Sequence, residues 1–180
     1  GHCAMETVAW LEGEKHSSSP DCTCKIVAEF VRQLNDAIRQ TKTRSDLLRP
    51  ILPRLIGTVV SDVATKRREY IIVDAIVRVF MPVLLDEAGV HGPAKGLRGL
   101  PEIVDDDTAE AAETWLRVAL NSAALTDADV YFHFYRPYLR ADVGTVRAVY
   151  QIAYGISCAT ENRIYAEAVK VIERMLEIEE

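Results

Sequence analysis

Residues 61–89 constrain the fold of this chain more than any other stretch of its sequence. From Ile71 to Leu85 nearly every side chain is apolar, and only Asp74 and Arg78 interrupt the run. A helix that is apolar on all sides belongs in the interior of a domain. Asp74 and Arg78 stand four positions apart, so they share one face and can pair within the helix. The stretch therefore predicts a buried central helix with one internal ion pair.

Three further segments carry the spacing of amphipathic helices. Apolar residues recur every three or four positions in residues 24–40, in residues 107–124 and from residue 145 almost to the carboxy terminus. This spacing is typical of helices with one buried face. Asp107 followed by Glu110 resembles a capping box, so we expect the second of these helices to begin there.

Two short helices are also predicted. Residues 5–12 form the first, with Val8, Trp10 and Leu11 available for burial. Residues 94–100 form the other, inside a connection that is otherwise rich in glycine and proline, the residues that break helices.

Prolines interrupt two predicted helices. Ser45 is a good amino-terminal cap, but Pro50 and Pro53 follow it closely, and each removes a backbone donor. We expect that helix to kink, to start late or to break into short turns. Pro82 is predicted to bend the last two turns of the central helix.

The predicted architecture is all-α. A chain of 180 residues fits one domain, here an irregular bundle of about six to eight helices around the buried central helix. Residues 1–23 are expected to be partly flexible because Ser17, Ser18, Ser19 and Pro20 follow one another. A long connection is expected near residues 89–107.

The net charge and the composition of the chain indicate which partners and which compartment it fits. A net charge of −6 disfavours nucleic acid or an anionic membrane as partner, because both require a basic surface, although a local basic cluster could override this average. We expect a cytoplasmic protein, since no signal peptide precedes Met5 and no apolar run approaches the roughly 20 residues of a membrane span. The four cysteines are too few and too unevenly spaced for a disulfide framework, so free thiols are expected.

The polar residues of the central helix are the first candidate site. Arg68, Tyr70, Asp74 and Arg78 lie at its charged beginning or within its apolar run. One interpretation is a structural ion pair of Asp74 and Arg78, with Tyr70 one turn earlier. The other is a pocket in which Arg78, helped by Arg68, binds an anionic ligand that Asp74 orients.

An aromatic segment at residues 131–139 is the second candidate. Aromatic side chains with one His and one Arg suit a ligand cleft, a protein interface or core packing at a helix junction. The ligand-binding candidates here are His133, Tyr135, Arg136 and Tyr138. His133 has no partner visible in the sequence that would make it a general base.

Signatures of metal and catalytic chemistry are weak. His16, Cys22 and Cys24 are the metal-binding candidates, but the usual Cys-x-x-Cys spacing and a second half-site are missing. The sequence contains no G-x-S-x-G, G-x-G-x-x-G or P-loop motif and no H-E-x-x-H pattern. Neither a reaction nor a cofactor is therefore predicted.

Several short motifs over about residues 5–105 resemble a group of small bacterial all-helical proteins without assigned function. The motifs are Cys22-Thr-Cys24, Leu47-Leu48-Arg49-Pro50, Pro53-Arg54-Leu55-Ile56-Gly57-Thr58, Arg67-Arg68 followed by Tyr70 and Asp74, and Leu97-Arg98-Gly99-Leu100-Pro101-Glu102-Ile103. Some members of that group are described as immunity-like. The resemblance implies a bacterial, cytoplasmic protein and assigns no site residues.

Two functions remain open from the sequence. The first is a non-enzymatic helical interaction or regulatory protein that neutralises or regulates a protein partner. The second is a protein or enzyme that binds a small anionic molecule between the central helix and residues 130–140. Either function is compatible with a homodimer formed through the carboxy-terminal apolar stripe.

Overall fold

The computed structural model describes residues 3–122 and 158–179, and within these ranges it is helical, with no β-strand. The all-α multi-helix fold predicted from the sequence is therefore confirmed. The helices are α1 (Ala4–Glu12), α2 (Lys25–Ala37), α3 (Thr41–Leu48), α4 (Asp62–Ala75), α5 (Met81–Glu87), α6 (His91–Arg98), α7 (Asp106–Ser122) and α8 (Cys158–Leu176). A 3₁₀ turn, Leu52–Leu55, follows α3, and a π-helical turn, Ile76–Phe80, joins α4 to α5.

The chain groups into two compact units. The first is drawn from Gly1–Arg68 and Ala168–Glu180, and the second from Glu69–Glu167, so the boundaries fall inside α4 and α8. The single domain expected from the length stays a prediction.

In the first unit, α1 packs against α2 and the 3₁₀ turn. Helix α1 buries Met5 and Val8 completely, whereas Trp10 is 76% exposed and Leu11 44% exposed. The prediction that these two side chains are buried is wrong. Helix α1 ends at Gly13, whose positive φ of 78° closes the helix in the left-handed conformation that glycine adopts readily.

Helix α2 follows the predicted amphipathic pattern. Phe30, Val31 and Leu34 are fully buried on one face, and Arg32 pairs with Glu29 on the helix surface. The amino terminus is held by a neighbouring loop, because the backbone N–H of Cys24 donates to Thr58 Oγ1 over 3.1 Å.

Helix α3 begins at Thr41, four residues before the cap predicted at Ser45. Gln40 takes the capping position, and Lys42 pairs with Asp46 on the exposed surface over 2.6 Å. The predicted break is correct, because α3 ends at Leu48 and a 3₁₀ turn follows after Pro50.

Most of the predicted apolar run is buried in the second unit. Ala75, Phe80, Met81 and Leu85 are at most 1% exposed, whereas Ile71, Val73 and Val79 are only half-buried. Helix α6 packs against both α5 and the π-helical turn, and it also contacts α7. Buried Ala94 and Leu97 lie on its inner side.

The π-helical turn is the local consequence of Pro82. Proline has no N–H to donate and collides with the carbonyl four residues earlier, here that of Arg78. The chain responds with a wider turn, in which the N–H of Met81 donates to the carbonyl of Ile76 five residues back. Turns of this kind occur mostly as single insertions in α-helices and frequently at functional sites.

Helix α7 is capped by Asp105 and not by the predicted pair of Asp107 and Glu110. Asp105 Oδ1 accepts the N–H of Thr108 over 2.8 Å, and Thr108 Oγ1 accepts the N–H groups of Val104 and Asp105. These reciprocal bonds satisfy donors that the first turn of a helix leaves open.

Helix α8 contains the stripe predicted for the carboxy-terminal part. Ile164, Ala168, Val171 and Met175 are all buried, as the spacing of three and four residues indicates. Ile178 lies beyond the end of the helix and is only half-buried.

Candidate functional site

Asp74 is the buried anionic centre of the second unit. The residue is 2% exposed, and its Oδ1 atom accepts one hydrogen bond from Arg78 Nη1 over 2.8 Å and another from the backbone N–H of Ile103 over 3.1 Å. A buried carboxylate requires such partners, because an unpaired charge is costly in a low dielectric. Asp74 therefore fixes the loop before α7 to the central helix.

Arg78 forms the ion pair with Asp74 that the i,i+4 spacing predicts. The side chain of Arg78 is 27% exposed, whereas the side chain of Asp74 is 3% exposed. Arg78 stands in the middle of the π-helical turn, and its Nε atom is buried without a hydrogen-bond partner among the described residues. The pair is thus only partly satisfied on the cationic side.

Tyr70 contacts the beginning of α7. Its hydroxyl donates to Asp106 Oδ1 over 2.8 Å in an exposed position. The hydroxyl thus links the central helix to the first residue of α7. A role of Tyr70 as ligand-binding residue stays a prediction.

Arg68, the remaining candidate on α4, is used within the first unit. The residue is 2% exposed, and its guanidinium donates to three backbone carbonyls: Nε to Met175 over 2.9 Å, Nη2 to Ile178 over 2.9 Å and Nη1 to Thr58 over 2.6 Å. Met175 lies in the last turn of α8, where carbonyls lack helical partners and the helix dipole favours a cation. Since each guanidinium nitrogen is already engaged, Arg68 acts as a helix cap.

The aromatic candidates His133, Tyr135, Arg136 and Tyr138 lie outside the described residues. The pocket predicted between the central helix and residues 130–140 therefore stays a prediction.

The metal-binding candidates His16, Cys22 and Cys24 lie between α1 and α2. Within residues 3–122 and 158–179, no group of three or more His, Cys, Asp or Glu side chains is placed to hold a metal ion. His16 Nε2 instead lies 3.3 Å from Glu6 Oε1. Cys24 is buried and Cys22 half-buried, both as free thiols.

The amino-terminal loop is closed by Glu14, whose carboxylate accepts the backbone N–H groups of Asp21 and Cys22. Desolvation pushes the pKa of Glu14 upward, but these hydrogen bonds outweigh it and leave the pKa below its usual value. Desolvation, together with the nearby Glu14 carboxylate, raises the pKa of the Cys22 thiol. The raised pKa lowers the fraction of Cys22 that is thiolate at neutral pH, and the thiolate is the nucleophilic form.

Asp86, His91 and Arg98 form a polar cluster that the sequence analysis missed. Asp86 accepts a hydrogen bond from His91 Nδ1 over 3.0 Å and another from Arg98 Nη2, so it connects α5 to both ends of α6. His91 Nδ1 must be the donor, because an ionised carboxylate only accepts. The spacings of five and twelve residues follow no helical period, so the sequence carries no signal for the cluster.

We expect the Asp86 cluster to make stability depend on pH in acid. The hydrogen bonds from His91 and then Arg98 hold the pKa of Asp86 below its usual value. The ionised form is favoured in the folded state, so its contribution is present above the unfolded pKa, near 4, and is lost as the pH falls through the lower folded pKa. Urea unfolding of wild type and Asp86→Asn between neutral pH and strong acid should show a difference of about 1 kcal/mol or less, which disappears at the acid end. Asp107→Asn, on the exposed start of α7, is the control, and an equal change in both variants would contradict the role of Asp86.

Helix α7 presents an apolar stripe to solvent. Its inner face buries Ala112, Leu116 and Ala119. The residue directly before each of these buried residues faces solvent. Ala111 is exposed, Trp115 is 56% exposed and Val118 is 52% exposed. The positions i, i+4 and i+7 lie along one side of a helix, so these three residues form a continuous surface, hereafter the α7 stripe.

The fold and these sites define an all-α protein with an ion pair whose carboxylate is buried and with an exposed apolar stripe on α7. No protein-family model, curated protein or solved structure matches the chain. In the part of the chain that the structure describes, no helix is both long and apolar enough to cross a membrane.

Proposed function

We propose that this chain is a non-enzymatic helical interaction protein that binds a protein partner through the α7 stripe. The observation that carries the proposal is the exposure of Trp115, which retains 56% of its surface next to exposed Val118. Tryptophan is enriched among the residues that contribute most to binding at protein interfaces. Contiguous exposed apolar surface also marks interaction sites more often than isolated apolar residues do.

The charges around the α7 stripe indicate the chemistry of the partner. Residues 105–118 contain five carboxylates and one arginine, and that arginine, Arg117, already pairs with Glu113. Asp106, Asp107 and Glu110 are exposed at the amino-terminal end of the stripe. Exposed carboxylates at one end of an apolar surface favour a partner that carries basic residues beside an apolar anchor, because complementary charges speed association and set the orientation.

The bacterial cytoplasm is the proposed setting, on the basis of the resemblance of residues 5–105 to bacterial helical proteins. By the same resemblance, the partner is one whose activity this chain neutralises or regulates, in an immunity-like manner. A small-molecule function at residues 130–140 is the alternative.

We expect Trp115→Ala to weaken binding of the partner strongly while changing stability little. The side chain is half exposed, so the free energy of unfolding should change by no more than about 0.5 kcal/mol, whereas loss of a central interface tryptophan weakens binding by about tenfold or more. Three baits are used in lysate of the source organism: the wild-type chain, Trp115→Ala and Trp10→Ala. The affinity of each captured protein for all three baits is then measured by titration. Trp10 is the matched control, because it is the other tryptophan of the chain and is also exposed.

Fluorescence locates the contact directly. The chain has two tryptophans, so Trp10→Phe leaves Trp115 as the sole indole, whose emission should shift to shorter wavelength when the captured protein covers it. The proposal is wrong if every captured protein binds Trp115→Ala as tightly as wild type, or if the emission of Trp115 does not respond to binding.

A further inference from the structure

The α7 stripe has the spacing at which one helix packs along another. Ala111, Trp115 and Val118 are separated by four and then three residues, and all three are exposed. Alternating steps of three and four keep apolar residues on one line along a helix, and a second helix packs along such a line in coiled coils. The line is one side chain wide and about 10 Å long, at about 1.5 Å per residue. A narrow, straight apolar surface of this kind fits the apolar face of one helix.

Two exposed carboxylates, Asp107 and Glu110, lie beside the amino-terminal end of the α7 stripe. At about 100° per residue, Asp107 is rotated by about 50° from the middle of the stripe and Glu110 by about 110° in the same direction, whereas Asp106 is rotated by about 150°. Asp106 accepts the hydroxyl of Tyr70 on that far side of α7. A helix that lies along the stripe therefore meets Asp107 and Glu110 but not Asp106.

The position of these carboxylates selects an orientation for the second helix. Asp107 stands in the first turn of α7, where the helix dipole favours negative charge. Lysine and arginine are favoured in the last turn of a helix for the opposite reason. Cations in the last turn of a partner helix reach Asp107 and Glu110 only if that helix runs antiparallel to α7. This arrangement also places opposite ends of the two helix dipoles side by side.

We propose that the α7 stripe binds an amphipathic α-helix of the partner that runs antiparallel to α7 and carries lysine or arginine in its last turn. The inference rests on the proposed function, because it names the structural element by which the protein partner is recognised. Trp115 lies in the middle of the stripe and contacts the apolar face of the bound helix, while Asp107 and Glu110 pair with its cations. Charge complementarity of this kind sets orientation and the rate of association more than affinity.

The test uses two synthetic peptides as probes on the full chain. Both are alanine-rich and about 20 residues long, which is enough for helix formation, and both have the same composition, without tryptophan and with leucine at alternating steps of three and four. Two lysines stand in the last turn of one peptide and in the first turn of the other. Titration at low salt follows the emission of Trp115 in the Trp10→Phe background. We expect the peptide with lysines in the last turn to bind roughly three- to tenfold more tightly.

The variants that decide the test change the chain and leave the peptides alone. Asp107→Asn combined with Glu110→Gln should remove most of the preference for lysines in the last turn, because it removes both carboxylates. Asp106→Asn is the matched control, since Asp106 carries the same charge in the same turn but on the far side of α7, and it should keep the preference.

Four results would overturn the proposal. They are the absence of saturable binding of either peptide, equal affinity of the parent chain for both, a preference that persists in the double variant, and emission of Trp115 that shifts with the concentration of the chain alone, which would assign the stripe to a second copy. The proposed function fails separately, if no captured protein depends on Trp115.

Discussion

Replacing Arg68 with methionine is expected to lower the free energy of unfolding by about 2–4 kcal/mol. Methionine approximates the aliphatic part of arginine but donates no hydrogen bond, so three carbonyls lose a charged donor at once. The bond to Met175 is buried and those to Thr58 and Ile178 are only partly buried. In the variant, water can bond to the partly buried carbonyls in place of the guanidinium. The expected loss of stability is therefore smaller than the sum for three buried hydrogen bonds. Urea or thermal unfolding measures the change.

Arg67→Met is the matched control for Arg68→Met. Arg67 precedes Arg68 on the same helix but is exposed, and exposed substitutions rarely change stability by more than about 0.5 kcal/mol. Amide hydrogen exchange adds a local readout, because Arg68 holds the end of α8 through Met175 and Ile178, and residues 175–178 should exchange faster in Arg68→Met. Equal stability of the two variants, with unchanged exchange at the end of α8, would show that Arg68 is not the cap described above.

The partners of Arg68 also show where sequence reasoning stops. The pair of Asp74 and Arg78 was predictable because both residues stand on one helix, where spacing alone fixes the distance between side chains. Arg68 bonds to carbonyls 107 and 110 residues away in the chain, and backbone carbonyls carry no residue-specific signal. The sequence could therefore suggest a buried arginine but not its partners, and an anionic ligand was an equally reasonable hypothesis.

The helices themselves were largely predictable, and the errors have local causes. Asp105 and Asp107 are both good capping residues, and the choice of Asp105 depends on the Thr108 hydroxyl, which bonds back to the preceding loop. Trp10 was expected to be buried because it is large and apolar. Its position on α1 does not reveal which faces of the helix are covered, and only the packing of α1 against α2 and the 3₁₀ turn decides that.

The second large prediction concerns a contact of Asp74 that the sequence did not predict. Asp74 also accepts the N–H of Ile103, 29 residues further along the chain. Asp74→Ala removes the acceptor of the hydrogen bonds from Arg78 and Ile103, so it leaves a buried N–H and a guanidinium without its carboxylate. We expect a loss of about 2–3 kcal/mol, below the cost of breaking a fully buried pair, because the side chain of Arg78 is 27% exposed and can be partly solvated.

Asp74→Asn separates the charge of Asp74 from its role as an acceptor, because the amide oxygen can still accept from both Ile103 and Arg78. It should destabilise less than Asp74→Ala, and the difference between the two variants estimates the value of the hydrogen bonds that remain without the charge. Asp106→Ala is the control, since Asp106 also accepts a side-chain hydrogen bond in the second unit, from Tyr70, but in an exposed position. Urea unfolding should rank the losses as Asp74→Ala, then Asp74→Asn, then Asp106→Ala. If Asp74→Ala is no more destabilising than Asp106→Ala, then Asp74 does not anchor the loop before α7.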